Sequence, residues 1–418
     1  MLDFGRSDDP HVQAQLDRLS GLSIQRGRLE LDAIRELMAR LGNPHRRLPP
    51  VFHVSGTNGK GSTCAFLRAM LEAQGLRVHV TISPHLVRYN ERIRLAGELI
   101  SDEALAPLLA EVLDASEGLS PSFFEVTIAA SFLAFSRVPA DACVVEVGLG
   151  GRLDATNVLE PDAIAACGIA ALGIDHEKFL LAPDDGVPDD PMARIAFEKA
   201  GIAKHGVPLV TMGKRYPQQC RAAIAQISRS VGAPMVELPM DAEEELSGIA
   251  LPLQGQHQKQ NAALAIAMLR SQSTFAIGKD AIRHGIASVR WPARMQRLSV
   301  GPLVGTKQVW LDGGHNPNAG AMLGPFFAGQ RIHLIIGMLD AKDPAALTKP
   351  LSGSLASITA VPVPGHDAHG PEAFVGAKAE PDVPSAIATL PQDGLPVLIA
   401  GSLYLAGEVL RLNDEIPD

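Results

Sequence analysis

Short apolar runs alternate with amphipathic helical patterns along most of the chain. Apolar runs that end in polar or glycine-rich turns predict strands at positions 51–54, 76–82, 141–147, 162–169 and 207–212. Apolar residues at helical spacing predict helices at positions 29–41, 102–117, 124–135, 193–204, 217–231 and 256–269. Strands that alternate with helices indicate a parallel sheet covered on both faces, with ligands at the carboxyl ends of the strands.

A second series of strands and helices begins near Leu298. Its short apolar runs predict strands at positions 309–311, 331–336, 358–363 and 396–400. The preceding Trp291-Pro292-Ala293-Arg294 segment has the composition of a linker. We therefore predict an α/β protein with two domains. Residues 1–293 would form a large P-loop-type ATP-binding domain with a mostly parallel sheet, and residues 294–418 a smaller Rossmann-like domain.

Composition narrows the class of protein. Of the 418 residues 46% are hydrophobic and only 4% aromatic, so aliphatic packing must dominate the cores. The formal net charge of −9 argues against general nucleic-acid binding. The sequence shows no signal-peptide pattern and no apolar stretch of the ~20 residues that a membrane span needs. We therefore expect a soluble, cytoplasmic protein without nucleic-acid or membrane partners, and we also expect a monomer.

The cysteines are spread widely along the chain and include no C-x-x-C pair. This spacing suits buried free thiols in a reducing compartment. The four residues are Cys64, Cys143, Cys167 and Cys220.

A glycine-rich turn between a strand and a helix is the main candidate for chemistry. The turn consists of Gly56, Thr57, Asn58, Gly59, Lys60, Gly61 and Ser62. Backbone N–H groups, a helix N terminus and a lysine together bind phosphate, and Ser62 would serve as a magnesium ligand. The spacing departs from G-x-x-x-x-G-K-[ST], because Val54 replaces the first glycine and Gly61 separates Lys60 from Ser62. The alternative is an ordinary glycine-rich turn, which the flanking strand and helix disfavour.

Three other residues are candidates for the same site. Glu146 ends a predicted strand, where a magnesium ligand would lie. The alternative for Glu146 is a buried carboxylate paired with Arg152. His176 follows the next strand and has either a functional or a structural role. Lys199 lies in a helical run, where most lysines are solvated, and its spacing alone gives it no special role.

Five motifs resemble, in order, those of the folylpolyglutamate synthase/dihydrofolate synthase family, which belongs to the Mur ligase superfamily. The resemblance spans nearly the whole chain. The motifs are Gly56-Thr57-Asn58-Gly59-Lys60-Gly61-Ser62, the loop from Ser83 to Arg92, the segment from Glu146 to Asn157, Glu198-Lys199-Ala200-Gly201-Ile202 and His315-Asn316-Pro317.

The resemblance implies an ATP-dependent amide ligase that adds L-glutamate to dihydropteroate or to reduced folates through an acyl phosphate. Residues 56–62 would then bind the phosphates of ATP, with Lys60 as a catalytic residue. Ser62 and Glu146 would hold one Mg²⁺, and His176 with Lys199 would help hold a second. In the family this lysine is carboxylated at its amino group. The resemblance leaves a K⁺ requirement open.

The resemblance assigns further residues to the nucleotide and to glutamate. Asn261, Arg294 and Asp312 would contact ATP, and His315 would act where glutamate meets the acyl phosphate. For Arg294 and Asp312 the alternative is an interdomain salt bridge. For His315 the alternative is a cap on the helix that begins at Asn316-Pro317.

The pterin site is assigned to three segments. The candidate contacts are Ser83, His85, Arg88, Phe124 and Asp154. A carboxylate at Asp154 suits the amino donors of a pterin, whereas Phe124 is either a stacking platform or helix core. We expect the active site to lie between the two domains, and the chain to accept dihydropteroate, reduced folates or both.

Three departures from the family pattern stand out. Ala293 replaces a glycine of the linker motif, and Gly313-Gly314 precede His315 where the family usually has alanine. The connector at 177–192 is longer and more acidic than usual, and its stretch from Asp184 to Pro191 is a candidate mobile surface loop. This connector lies between two of the proposed ligands of the second metal, His176 and Lys199.

Two other functions compete with this interpretation. Another Mur-type ligase would need a nucleotide-sugar-binding domain before the phosphate loop, and only 55 residues precede Gly56. A nucleotide-binding switch protein would be expected to carry an Asn-Lys-x-Asp guanine motif, which the chain lacks.

Overall fold

The computed structural model describes residues 5–22, 30–182 and 184–418. These residues form two compact units. The first contains the described residues up to Pro252 together with Gln258–Val289, and the second contains Leu253–His257 and Arg290–Asp418. The division near Val289 lies a few residues before the boundary expected from the sequence, and the short segment Leu253–His257 belongs to the second unit. The assignment of separate functions to the two domains stays a prediction.

The first unit is built on an eight-stranded sheet with the order β4-β3-β2-β5-β1-β6-β7-β8. Its strands are β1 (Val51–Ser55), β2 (Val78–Thr81), β3 (Ile93–Leu95), β4 (Glu98–Leu99), β5 (Ala142–Glu146), β6 (Ile164–Ile169), β7 (Leu209–Thr211) and β8 (Met235–Glu237). Strands β2, β5, β1, β6, β7 and β8 are parallel to one another, whereas β3 is antiparallel to β2 and β4 is antiparallel to β3 at the edge of the sheet.

Helices connect these strands. They are α1 (Pro10–Ser20), α2 (Asp32–Arg40), α3 (Lys60–Ala73), α4 (Asp102–Ala115), α5 (Phe123–Arg137), α6 (Glu177–Leu180), α7 (Pro191–Ala200), α8 (Gln218–Val231), α9 (Gln256–Ser271) and α10 (Lys279–Ser288). Every residue of β1, β5 and β6 is buried, as expected for parallel strands covered on both faces.

The second unit contains a six-stranded sheet with the order β13-β12-β11-β14-β10-β9. Its strands are β9 (Gln296–Arg297), β10 (Val309–Asp312), β11 (Ile332–Ile336), β12 (Leu355–Ala360), β13 (Lys378–Ala379) and β14 (Val397–Ala400). Its helices are α11 (Pro317–Phe326), α12 (Ala345–Leu351), α13 (Val383–Ala388) and α14 (Leu403–Leu412). Only β9 is antiparallel to its neighbour, so the Rossmann-like pattern is confirmed. Ile332, Leu334 and Ile336 of β11 lie in the apolar core of this unit.

The predicted strands and helices are present with shifted ends. The helix predicted at 29–41 spans Asp32–Arg40, and Leu29 lies outside the described residues. The strand predicted at 358–363 is Leu355–Ala360, because it begins in half-buried residues that an apolar-run criterion omits. The edge strands β3, β4, β8, β9 and β13, each of two or three residues, were missed, as were α1 and α10. Such short edge segments are too brief to show a period.

All four cysteines are buried free thiols, as predicted. Among the described residues, no helix is both long and apolar enough to cross a membrane.

Candidate active site

The phosphate loop lies at the carboxyl end of the central strand β1. β1 is flanked by β5 and β6, and α3 begins at Lys60 directly after the loop. Gly56 and Gly59 have φ values of 143° and 85°, which L side chains rarely adopt. The backbone of the loop therefore requires glycine at both positions.

Two neighbouring segments hold the loop in place. The Thr57 hydroxyl donates to the carbonyl of Gly173 at 2.7 Å and accepts from the Gly173 N–H at 3.0 Å. The N–H of Thr57 donates to the Ala171 carbonyl at 2.8 Å. The Ser55 hydroxyl donates to the Gly150 carbonyl at 3.1 Å. The turns after β5 and β6 thus brace the loop from both sides.

Lys60 and Asn261 both lie against the loop backbone. The Lys60 ammonium donates to the Gly56 carbonyl at 3.0 Å. A Cβ added to Gly59 would lie 2.3 Å from Oδ1 of Asn261, so the asparagine side chain packs directly on the loop. Asn261 is 2% exposed and donates to Gln258 at 3.0 Å. Two residues assigned to ATP are therefore neighbours although about 200 positions separate them.

Glu146 lies beside the phosphate loop at the end of β5. It pairs in register with Val54 of β1, and its carboxylate accepts from the N–H of Ser83 at 3.2 Å. Ser62 is buried in the first turn of α3. Burial is the main cause that raises the pKa of the Cys64 thiol. The charge of Glu146 raises this pKa further and the charge of Lys60 lowers it, so both residues lie near the thiol. The expected magnesium ligands thus occupy one end of the sheet.

The donor set of this site fits magnesium. The described residues contain no group of three or more His, Cys, Asp or Glu side chains placed to hold a metal. Mg²⁺ does not require such a cage, because it is usually bound by one or two protein oxygens together with substrate phosphates. Ser62 and Glu146 supply one hydroxyl and one carboxylate of that kind.

Lys199 is a buried lysine and not a solvated one. It lies at the end of α7 and is 4% exposed. Its pKa is lowered from 10.5 to about 7, mainly by burial and also by the positive charge of Lys60, whereas Asp175, Asp154 and Glu198 oppose the shift. A large fraction of this amine is therefore neutral and nucleophilic near pH 7.

Arg152 forms ion pairs with two acids of the Lys199 segment and its connector. Its guanidinium lies 2.8 Å from Glu198 and 2.7 Å from Asp184. Arg152 therefore pairs with Glu198 and Asp184, whereas the sequence suggested Glu146 as its partner. The Asp184 side chain is only 8% exposed, and Asp190 caps α7, so two acids of the expected mobile loop are in defined contacts.

His176 precedes the short helix α6 with a left-handed backbone of φ 54°. Its N–H donates to the carboxylate of Asp175 at 2.8 Å. Since Asp175 also acts on the pKa of Lys199, this turn lies near the lysine. The role of His176 in a second metal site stays a prediction.

The loop from Ser83 to Arg92 is organised by a carboxylate that the sequence did not single out. Glu91 accepts from the N–H groups of Leu86, Val87 and Arg88 at 2.8, 2.8 and 2.7 Å. Burial raises the pKa of Glu91 and these backbone hydrogen bonds oppose the rise. One signal was available, since a carboxylate three to five residues after a run of backbone donors suits local capping.

His85 is bonded to a second residue that the sequence did not single out. The fully buried Arg92 donates to Nδ1 of His85 at 2.7 Å, which orients the imidazole. The guanidinium of Arg92 also lies 5.4 Å from the ring of Phe123, in cation–π geometry. His85 is therefore held by a buried cation that spacing could not reveal.

Phe124 and Asp154 both contact the turn that follows β5. The Phe124 ring packs on Gly148, where an added Cβ would lie 2.4 Å from Cζ. Phe124 is half-buried and thus not simply helix core. The Asp154 carboxylate is 3% exposed and accepts from Leu149 N–H at 2.8 Å and Thr156 N–H at 3.0 Å. Burial raises the pKa of Asp154, and these hydrogen bonds oppose the rise.

Asp312 anchors the linker turn of the second unit. Its carboxylate accepts from Met295 N–H at 2.9 Å and Gly314 N–H at 2.7 Å. Ala293 and Met295 have φ values of 56° and 46°, so the alanine that replaces the family glycine keeps a glycine-like backbone. The strain is about 1 kcal/mol for each such residue, and the bonds to Asp312 help hold the turn in this shape.

His257, which the sequence did not single out, interacts electrostatically with Asp312 and Arg294 of the same unit. Burial lowers its pKa, the charge of Asp312 raises it, and that of Arg294 lowers it. His315 bonds through Nδ1 to the Gly313 carbonyl at 3.2 Å. It does not cap α11, because Asn316 is the cap and accepts from Ala319 N–H. The capping role considered for His315 therefore belongs to Asn316.

These features define the class: an α/β protein with a phosphate loop, an adjacent carboxylate and a buried lysine at the carboxyl ends of a parallel sheet, followed by a second Rossmann-like unit. No family model matches the chain. A folylpolyglutamate synthase from Lacticaseibacillus casei is 33% identical over 89% of this chain and 92% of its own length. A dihydrofolate synthase/folylpolyglutamate synthase from Escherichia coli is 35% identical over 80% of this chain and 76% of its own.

Solved structures agree. E. coli FolC in complex with DHPP and ADP has a TM-score of 0.84 and 30% identity, covering 97% of this chain and 98% of its own. The Yersinia pestis bifunctional enzyme with AMPPNP and Mn ion has a TM-score of 0.82 and 29% identity, covering 96% of this chain and 97% of its own. The chain belongs to the folylpolyglutamate synthase/dihydrofolate synthase family of ATP-dependent ligases.

Proposed function

We propose that this protein joins the amino group of L-glutamate to the carboxylate of dihydropteroate and of reduced folates, converting ATP to ADP and phosphate. The arrangement of the phosphate loop, Glu146 and Lys199 at one end of the first sheet carries the proposal. The relatives support it, since E. coli FolC was solved with DHPP and ADP, and a bifunctional folylpolyglutamate synthase/dihydrofolate synthase with Mn, AMPPNP and L-glutamate.

The chemistry explains why the site needs so many cationic and donor groups. A carboxylate is a poor electrophile, because it is anionic and has no good leaving group. Transfer of the γ-phosphoryl group to it gives an acyl phosphate, and the glutamate amine then attacks the acyl carbon and displaces phosphate. The loop N–H groups and Lys60 would stabilise the charge that develops on the transferred group.

Ser62 and Glu146 would hold Mg²⁺ beside the phosphate loop. The bound ion supplies Lewis-acid neutralisation of the phosphate oxygens. The two residues fit this role because they offer hard oxygen donors at the strand and helix ends that flank the loop. His176 and Lys199 would hold a second ion, for which Lys199 must carry an anionic carboxylate.

The neutral fraction of Lys199 supports its carboxylation. An amine must lose its proton before it can attack CO₂, and a pKa of about 7 makes that form abundant. The N–C bond forms from the nitrogen lone pair, the carbon dioxide oxygen takes the negative charge, and the amine proton goes to solvent. We also propose a monomeric and cytoplasmic enzyme, with K⁺ as a candidate cofactor.

Asn261, Arg294 and Asp312 would contact ATP, and His315 would position glutamate. The pterin would lie between Phe124 and the loop that carries Ser83, His85 and Arg88, with Asp154 accepting from its amino groups. The Gly148→Ala variant tests this placement, because the new methyl group must push the Phe124 ring aside. We expect a raised KM for the pterin substrate and an unchanged KM for ATP.

An ADP-release assay with L-glutamate and Mg²⁺ tests the function, comparing dihydropteroate with tetrahydrofolate. Lys60→Ala and Glu146→Ala should abolish release with either acceptor, while the surface variant Lys349→Ala retains it. Near-normal turnover of either site variant would refute the phosphate-loop and metal assignments. Activity with neither acceptor would instead favour a different amide ligase.

A further inference from the structure

A chain of hydrogen bonds connects β1 to the Asp154 carboxylate. Nε2 of His53 lies 2.8 Å from the hydroxyl oxygen of Thr156. The Thr156 hydroxyl in turn donates to Oδ1 of Asp154, which also accepts the Thr156 N–H. His53 and Thr156 are fully buried, and Asp154 is 3% exposed. Neither His53 nor Thr156 has a role in the mechanism described above.

The direction of these hydrogen bonds follows from the chemistry of the groups. An ionised carboxylate only accepts, so the Thr156 hydroxyl must donate to Asp154 and can accept from His53. His53 must therefore carry its proton on Nε2. Burial lowers its pKa to about 3, with Lys204 as a further cause, so the ring is neutral across the physiological range.

The other ring nitrogen of His53 has no bonding role. Nδ1 is buried and finds no hydrogen-bond partner among the residues that the structure describes. A buried polar atom without a partner is unfavourable, and an apolar side chain at this position of β1 would avoid it. The Nε2–H bond to Thr156 is the interaction that distinguishes histidine from such a side chain.

The position of the chain connects it to the active site. His53 lies on the strand that leads into the phosphate loop, and Asp154 opens the turn that carries Thr156. Asp154 also acts on the pKa of the buried Lys199 amine. The orientation of this carboxylate therefore matters to both the expected pterin contact and the lysine.

We propose that Thr156 and His53 are positioning residues for Asp154: they hold its carboxylate as an oriented acceptor for the amino groups of the pterin substrate. The proposal rests on the proposed function. Thr156 donates two hydrogen bonds and Leu149 one to the Asp154 carboxylate, and the Gly148 backbone also bonds to it. These bonds fix both carboxylate oxygens, and so they fix the direction from which either oxygen can accept a further hydrogen bond.

Steady-state ADP release by the full-length protein tests the proposal, with KM measured separately for dihydropteroate and ATP. Thr156→Val keeps the shape of the side chain but removes the hydroxyl. We expect KM for dihydropteroate to rise about tenfold, the effect of one lost charge-assisted hydrogen bond, and KM for ATP to stay within about twofold. Thr156→Ser should restore KM to within about threefold of the wild-type value.

A second pair of variants applies the same test at His53. His53→Gln retains an N–H donor and should behave like the wild type, whereas His53→Leu should raise KM for dihydropteroate. If Thr156→Val fails to fold, the two His53 variants still test the positioning role. Thr211→Val is the control, because it removes a buried hydroxyl elsewhere in the first unit, in β7.

The outcomes separate the two proposals. A raised KM for dihydropteroate alone, rescued by serine, supports the positioning role. Unchanged KM values in folded Thr156→Val, or equal rises for both substrates, would overturn it as purely structural. Asp154→Asn distinguishes the failures: if it leaves KM for dihydropteroate unchanged, the pterin contact itself is wrong. If it raises KM while the Thr156 and His53 variants do not, only the positioning role fails.

Discussion

The buried Lys199 amine should make the stability of the protein depend on pH, and Lys199→Met should remove this dependence. The pKa of Lys199 is lowered from 10.5 to about 7 by burial and by the nearby Lys60 charge. Between these pH values the unfolded chain binds more protons than the folded chain. Stability therefore rises with pH across this window, and the unfavourable contribution is fully present below it.

The size of the effect follows from the width of the window. Stability should change by about 1.36 kcal/mol per pH unit, which gives about 3 kcal/mol between pH 7 and about pH 9.5. The variant lacks the ionisable group. The free energy of unfolding of the wild type should therefore rise by that amount relative to the free energy of unfolding of the variant as the pH is raised. Other titrating groups act on both proteins and cancel in the difference.

Urea unfolding measured at several pH values between 6.5 and 9.5 tests this prediction. The buffers must be free of CO₂ and of divalent metal, since carboxylation would replace the amine with an anion. Lys349→Met, a substitution of the same kind at an exposed residue, is the control. If wild type and Lys199→Met gave parallel curves, the amine would be charged at neutral pH and the reasoning about its burial would be refuted.

Two further predictions rest on matched pairs of variants. Gly59→Ala places a methyl group 2.3 Å from Asn261 Oδ1 at a φ of 85°, whereas Gly75→Ala meets nothing within 4 Å at a φ of 88°. The left-handed backbone should cost each variant about 1 kcal/mol in thermal unfolding, and Gly59→Ala should lose more because the Asn261 side chain must shift. Only Gly59→Ala should lose ATP binding in calorimetry; equal ATP affinities would contradict the packing described. Arg152→Gln, which breaks partly buried ion pairs, should cost about 2–3 kcal/mol in urea unfolding, against less than about 1 for the exposed Arg137→Gln. Equal losses would show that the Arg152 pairs are as solvated as a surface bridge.

The features that the sequence determined by itself are local. Alternating strand and helix patterns identified the parallel sheets, because the spacing of the apolar residues within a strand or helix predicts that element. The loop from Gly56 to Ser62 was recognisable for the same reason, since backbone conformation, helix N terminus and cation all lie within a few residues. Glu146 was found as the last residue of a strand.

The sequence could not assign features that depend on which strands are neighbours. The order β2-β5-β1-β6 brings Ser83 to Glu146 and the turn after β6 to Thr57. The partners in ion pairs also depend on the tertiary structure. The sequence suggested that Arg152 pairs with Glu146, but Arg152 bonds to Glu198 and Asp184, because α7 and the connector before it fold back onto the arginine.

Tertiary structure alone also decided the state of the site's titratable groups. Spacing marked Lys199 as an ordinary helical lysine, whereas burial beside Lys60 lowers its pKa to about 7. His53 reads as one polar residue in an apolar strand, and only the approach of Thr156 gives its Nε2 a partner. A pKa and a hydrogen bond depend on dielectric surroundings and on distances of a few ångströms, and residues 100 or more positions apart in the chain provide both.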